Sequence, residues 1–231
     1  MDIKLLDTPF FGIIISLLAF NIGLYIFEKS KKFPLLNPLV TSGAIIIIFI
    51  KLFNIPLSYY EKGGNIIAFF LAPATVALSM PLYRQINKLK ENFLPIIIGS
   101  LVGAVTAIIS IIFLGKLLGI DEILIKSFIP KSITTPLGME LSALIGGIPP
   151  ITVFAIILTG ISGNAMAPYV CKIFRIEHPV AKGLGIGISS HAVGTAKAIE
   201  MGEVEGAMSA LSIVIAGIIT FIVAPILLIL I

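Results

Sequence analysis

The stretch DEILIKSFIPKSITTPLGMELSALIGG, residues 121–147, is apolar enough to enter a membrane and too interrupted to cross it as one helix. Pro130 and Pro136 bracket Lys131, Ser132, Thr134 and Thr135. Each proline removes a backbone donor and turns the residue before it away from helix, so breaks are expected at Ile129 and Thr135. Non-helical backbone at membrane depth persists only where protein or a watery cavity surrounds it. Residues 121–146 are therefore expected to form a broken or re-entrant helix.

The rest of the chain supplies the apolar surroundings. Of the 231 residues, 58% are hydrophobic and 12% charged, and the mean hydropathy is +1.12. That leaves too little polar surface to wrap a water-soluble core. Runs at 10–27, 94–114, 148–170 and 206–231 reach the roughly 17–25 residues a spanning helix needs; a run at 35–50 is shorter. A barrel would show alternating segments of about ten residues instead. The expectation is an all-α polytopic membrane protein, a single integral domain over 1–231, with long transmembrane helices and Pro/Gly-broken or re-entrant ones.

The start, MDIKLLDTPFF, lacks a basic region, so the first run reads as an uncleaved span. Cys171, the sole cysteine, has no intrachain disulfide partner and reads as an ordinary small apolar residue. The net charge of +4 sits in short connections, which suits anionic membrane lipid and not nucleic acid.

Connections at 28–32, 84–91 and 172–182 are rich in Lys and Arg. With all three cytoplasmic, as the positive-inside bias favours, an even number of crossings separates neighbours. The segment 64–83 should then cross, and 121–146 should return to the side it left. Two further segments look interrupted: 64–83, by Pro73 with Thr75 just after, and 183–200, by Gly183, Gly185, Gly187 and Gly194. The runs TVALSM, TPLGME and TAKAIE begin at Thr75, Thr135 and Thr195, at intervals of 60 residues. The halves 35–118 and 148–231 would have opposite orientations, an inverted repeat joined by the broken segment. Many secondary transporters are built so, with substrate at mid-membrane where half-helix N-termini converge.

The run GISSHAVGTAKAIEMGEVEG, 187–206, carries the densest polar chemistry. With a half-helix starting near Ser190, His191 and Thr195 share one face, and Lys197 and Glu200 another. The free N–H groups of such a start favour a small anion, with hydroxyls of Ser189, Ser190 and Thr195 as added donors and Gly194 allowing close approach. His191 and the ionisable Glu140, Lys197 and Glu200 are candidates for ion or proton coupling, since a charge at mid-membrane costs at least about 2.5–3.5 kcal/mol without water or a partner. Plainer readings stand beside these. His191 could pack neutrally on a carbonyl, the threonines could bond their own helix turns, and Lys197 and Glu200 could simply pair at the interface. Glu203 and Glu205 are expected at the aqueous rim and His178 in a loop. No HExxH, GxxxxGK[ST] or GxSxG pattern occurs, so neither catalysis, a metal nor a cofactor is expected.

The runs at 63–83, 129–163 and 187–227, above all IPKSITTP and SSHAVGTAKAIE, resemble the LrgB/CidB family of bacterial inner-membrane proteins. The resemblance implies a multi-pass protein of the bacterial inner (cytoplasmic) membrane, working beside a small LrgA/CidA-like membrane partner. The family is described as holin/antiholin-like and tied to murein hydrolase activity and autolysis. A plastid relative is a glycolate/glycerate translocator, and bacterial pairs are implicated in pyruvate uptake. Residues and resemblance together lead us to expect a homo-oligomeric carrier or facilitator for small 2-oxo or 2-hydroxy monocarboxylates. Substrate would lie against Pro73, Thr75, Lys131, Ser132, Thr134, Thr135, Ser189, Ser190, His191, Gly194 and Thr195; the alternative is a holin/antiholin-like regulator that carries no solute. Lys197 stands where many relatives carry arginine, keeping the charge without the bidentate fork.

Overall fold

The structure, a computed structural model, describes residues 6–31, 33, 36–70, 73, 76, 83 and 86–231. No strand occurs among them, and the chain divides into two compact units, Met1–Thr75 and Val76–Ile231.

The first unit holds α1 (Pro9–Lys29), α2 (Pro38–Leu52) and α3 (Leu57–Phe69). Proline stands at the first turn of α1 and α2, where its missing N–H costs nothing. Helix α1 buries only Gly12, Ala19 and Gly23, while Phe10, Leu17, Leu18 and Tyr25 lie exposed. Gly12 abuts Gly63 of α3, and Gly23 abuts Pro38 and Thr41 of α2. Small residues let backbones approach where lipid supplies no hydrophobic drive between helices. Helix α3 begins at Leu57, ahead of the apolar run expected from 64, and most of 71–85 lies outside the described residues.

The second unit runs α4 (Ile86–Glu91), α5 (Phe93–Leu117), α6 (Glu122–Phe128), a 3-10 turn Ile129–Ser132, α7 (Thr135–Leu144), α8 (Pro149–Ile173), α9 (Pro179–Met201) and α10 (Glu203–Leu227). Among the described residues, α1, α5, α8 and the stretch Glu203–Leu230 are long and apolar enough to cross a membrane. These are the four spans the sequence reading expects. Helix α5 shows why: Ile96, Ser100, Ala104, Ile108, Ile112 and Gly115 form its buried stripe, while Leu94, Ile98, Val102 and Phe113 face outward. The charged connection 84–91 proves partly helical, as α4, and α8 continues through Pro168.

Residues 121–146 form a broken helical hairpin. Helix α6 stops at Phe128, Ile133 and Thr134 are extended, and α7 starts at Thr135. The limbs fold onto each other: a Cβ on Gly138 would sit 3.5 Å from the Pro130 carbonyl oxygen, and Ile125, Ile129, Ile133, Leu141 and Ile145 share one cluster with Ile108 and Ile112 of α5. At the base, Thr152 of α8 donates to the Ser127 carbonyl and bonds Ser142, each at 2.7 Å. The Ser127 hydroxyl in turn accepts from Ile148 N–H at 2.8 Å. Outside the core, Lys126 pairs with Glu122 at 2.6 Å; its hydrogen bond, then its charge, holds that carboxyl below the usual range.

Helix α9 doubles back as well. His191 takes φ 43, ψ −140, and the helix breaks there. A Cβ on Gly194 would lie 3.2 Å from Ile186 Cγ2 and 3.4 Å from the Ile186 carbonyl oxygen. A straight helix would hold those residues about 12 Å apart. Limb 179–190 therefore runs alongside α10, with Gly183 against Glu205 and Met208 and Gly187 against Ser209 and Ser212. Limb 192–201 returns antiparallel to it, with Ile199 against Gly206 and Thr195 against Ser209. The two hairpins enter the unit from opposite ends, since the first starts at the end of α5 and the second at the end of α8.

Candidate functional site

The hairpin tips meet beside the middle of α8. Packing there is close because α8 presents glycines: a Cβ on Gly160 would meet His191 Cε1 at 2.7 Å and Val193 Cβ at 2.9 Å, and one on Gly163 would collide with Ser190. The His191 ring is buried, and its Nε2 lies 2.9 Å from the Ile156 carbonyl oxygen. A carbonyl only accepts, so Nε2 carries the proton in that bond. The backbone opened by the break finds side-chain partners. Asn164 of α8 donates to the Val193 carbonyl at 2.9 Å, and Thr195 donates to the His191 carbonyl at 2.9 Å while bonding Ser209 at 2.7 Å.

A φ of 43° with ψ −140° belongs to a region only glycine enters freely. Holding histidine there costs about 1–3 kcal/mol, which its surroundings must over-determine.

Beside the tips lies a cavity of about 630 Å³ between α8 and α9. Lys131 from the first hairpin and Ser189 and Ser190 from the second line its inner part. Lys131 donates to Ser132 Oγ at 3.1 Å, and among the described residues no carboxylate lies within 4.0 Å of it. Ser189 bonds Ser190 at 3.0 Å. The Thr134 hydroxyl, at the start of α7, is buried without a hydrogen-bond partner among the described residues.

Of the sequence-predicted residues, Lys131, Ser189 and Ser190 thus converge on the cavity. Ser132, Thr134, His191, Gly194 and Thr195 are buried around the tips, and Thr135 is half-buried at the first turn of α7. Helix formation resumes after His191, one residue beyond the Ser190 expected. Glu140 is exposed. Lys197 pairs with Glu200 at 2.9 Å on a partly exposed face, the plainer of the two readings for that pair. Pro73 is exposed and belongs to the first unit, and Thr75 lies outside the described residues. His178 is exposed in the connection before α9. Glu203 is exposed as expected, but Glu205 is not at the rim: it is 9% exposed, its carboxylate folded back against Gly202 at the start of α10.

Sequence reasoning missed Asn164, the glycines of α8 and the serines of α10. Their signal is present in the run TGISGN, 159–164, whose small and polar residues interrupt an apolar span.

No solved structure matches the chain. Antiholin-like protein LrgB of Bacillus cereus is 41% identical to it over 218 residues, 94% of this chain and 95% of that protein. Antiholin-like protein LrgB of Bacillus anthracis matches with the same figures. Residues 16–230 match the LrgB-like family, and with such coverage the chain, a membrane protein by its apolar helices and its kinship, belongs to that family.

Proposed function

We propose that this protein carries small 2-oxo or 2-hydroxy monocarboxylates, of the pyruvate, glycolate and glycerate class, across the bacterial inner membrane. The observation that carries the reading is the shared cavity of about 630 Å³, where the cation of one re-entrant tip faces the hydroxyls of the other. An ammonium group without a carboxylate partner is expensive at membrane depth. Water in the cavity and a transient anion offset that cost, and an occupant that leaves is what transport requires. Broken helices whose tips meet at mid-membrane are a recurrent carrier device. An inverted repeat of the halves 35–118 and 148–231, joined by the first hairpin, is part of the same proposal.

In this reading Lys131 attracts the carboxylate, Ser189 and Ser190 donate to its oxygens, and His191 fixes the second tip through Ile156. The buried Thr134 hydroxyl offers one more donor if the first tip shifts. A small LrgA/CidA-like membrane protein and self-association complete the proposed assembly.

The names of the relatives favour a second reading, a holin/antiholin-like regulator of murein hydrolases. Proteoliposomes separate the two. A carrier takes up labelled pyruvate saturably, is competed by glycolate and retains an entrapped neutral dye. A lesion-forming protein releases the dye and shows no saturation; that outcome would move the assignment to the second reading.

A further inference from the structure

The geometry points to Lys182 as a further residue of the anion path, standing at a mouth that opens on the side of the connection 174–178, with the opposite side closed. This rests on the anion-binding reading above and adds the direction of access.

The cavity follows one face of α8, from Thr159 past Ser162 and Met166 to Cys171 in the last turn. At the rise of a helix that path is about 18 Å long. Across it, Ser189, Gly185 and Lys182 fall on one face of limb 179–190, and Ile176 belongs to the connection itself. The cavity is a groove open along its flank, where Leu158, Ser162, Met166, Gly185 and Ser189 are exposed, and it runs from the hairpin tips to the end of a membrane span. Toward the other end, the Ser127, Ser142 and Thr152 hydrogen bonds and the cluster of Ile129, Ile133 and Leu141 fill the interior.

Lys182 lines the mouth, exposed Lys172 and Arg175 flank it, Glu177 is the acidic residue of the connection, and Glu203 and Glu205 at the start of α10 lie on the same side. Among the described residues Lys182 has no carboxylate within 4.0 Å. A compact, hydrated ammonium at an opening raises the local concentration of small anions and speeds their arrival, and salt weakens it. Lys131 and Lys182 then divide the work: one holds the anion at the inner end, the other recruits it. The basic residues also place this side in the cytoplasm by the positive-inside bias.

Cys171 is the only cysteine and lines the cavity with 8% of its surface exposed, so the native chain carries its own reporter of what enters there. The test measures its modification in membrane vesicles of known orientation by anionic, cationic and neutral methanethiosulfonates. Glu177→Cys in a Cys171→Ala background marks the side of the connection. Expected is reaction of Cys171 from that side alone, with the anionic reagent favoured over the cationic by about tenfold after normalisation to the neutral one. Lys182→Gln should lower that ratio and Lys182→Arg should keep it. High salt should narrow it in the unaltered protein, a check that needs no substitution. Reaction from the opposite side, no reaction with any reagent, or a ratio indifferent to both Lys182→Gln and salt overturns the inference, the last leaving Lys182 a lysine that merely snorkels. A charge-selective mouth in a protein that takes up no carboxylate would sustain the inference and defeat the carrier reading.

Discussion

His191 stands where only glycine is at ease, and it is not glycine. With φ 43 and ψ −140 it pays for a turn of one residue, and the bond from Nε2 to the Ile156 carbonyl repays part of that cost. The two terms separate by substitution. His191→Gly removes both the strain and the bond; His191→Ala removes only the bond. Thermal melts in detergent should therefore find His191→Gly more stable than His191→Ala by about 1–2 kcal/mol. The reverse order would mean that the backbone at position 191 is not strained and that the added freedom of glycine in the unfolded chain dominates. Function should not separate them: neither variant holds the ring against Ile156, so both should lose uptake. The histidine itself was legible as unusual because it sits in a run of serine, glycine and threonine. Its conformation was not, because nothing in SSHAVG marks which residue takes the positive φ.

At the scale of elements, each hairpin depends on a neighbour that makes room. A Cβ at Gly163 would strike the Ser190 side chain, so Gly163→Ala should cost about 1–3 kcal/mol through overpacking. Adding Ser190→Gly should recover most of it in a double-mutant cycle of melting temperatures. Strict additivity would show that the two helices do not touch there. The first hairpin hangs on Thr152, whose hydroxyl bonds both Ser127 and Ser142. Thr152→Val keeps the shape and strands those groups, for a loss of about 1–3 kcal/mol, read in the same melts. The first hairpin was legible because Pro130 and Pro136 mark its tip in the sequence. The second was seen as interrupted but not as doubling back. Its four glycines permit close packing and a turn equally well, and the contacts that decide between them, Gly183 with Glu205 and Gly187 with Ser209, join positions 22 residues apart. Glu205 misled for a related reason: the local pattern GEVEG looks like a rim, but limb 179–190 packs on Glu205 at Gly183 and its carboxylate folds back on Gly202.

For the whole molecule, the spans were the easiest part to read, because long continuous apolar runs have few other outcomes. The site was legible as a list of polar residues near breaks, and less so as an arrangement. Lys131 and Ser190 are far apart in the chain and meet only because one hairpin enters from each end of the second unit. That meeting is the basis for proposing a carrier function for a chain whose relatives bear the name antiholin-like. It predicts that charge at position 131 controls affinity for the anion and not the integrity of the membrane.

The most direct test is concentration-dependent uptake of labelled pyruvate into proteoliposomes containing the native chain, Lys131→Gln or Lys131→Arg, each shown folded by its melt, with the small membrane partner supplied in parallel. The account predicts saturable uptake by the native chain, an apparent affinity weakened about tenfold to a hundredfold in Lys131→Gln from loss of a charge-assisted bond, and much of it kept in Lys131→Arg. Equal uptake by all three, or none that saturates with or without the partner, would contradict it.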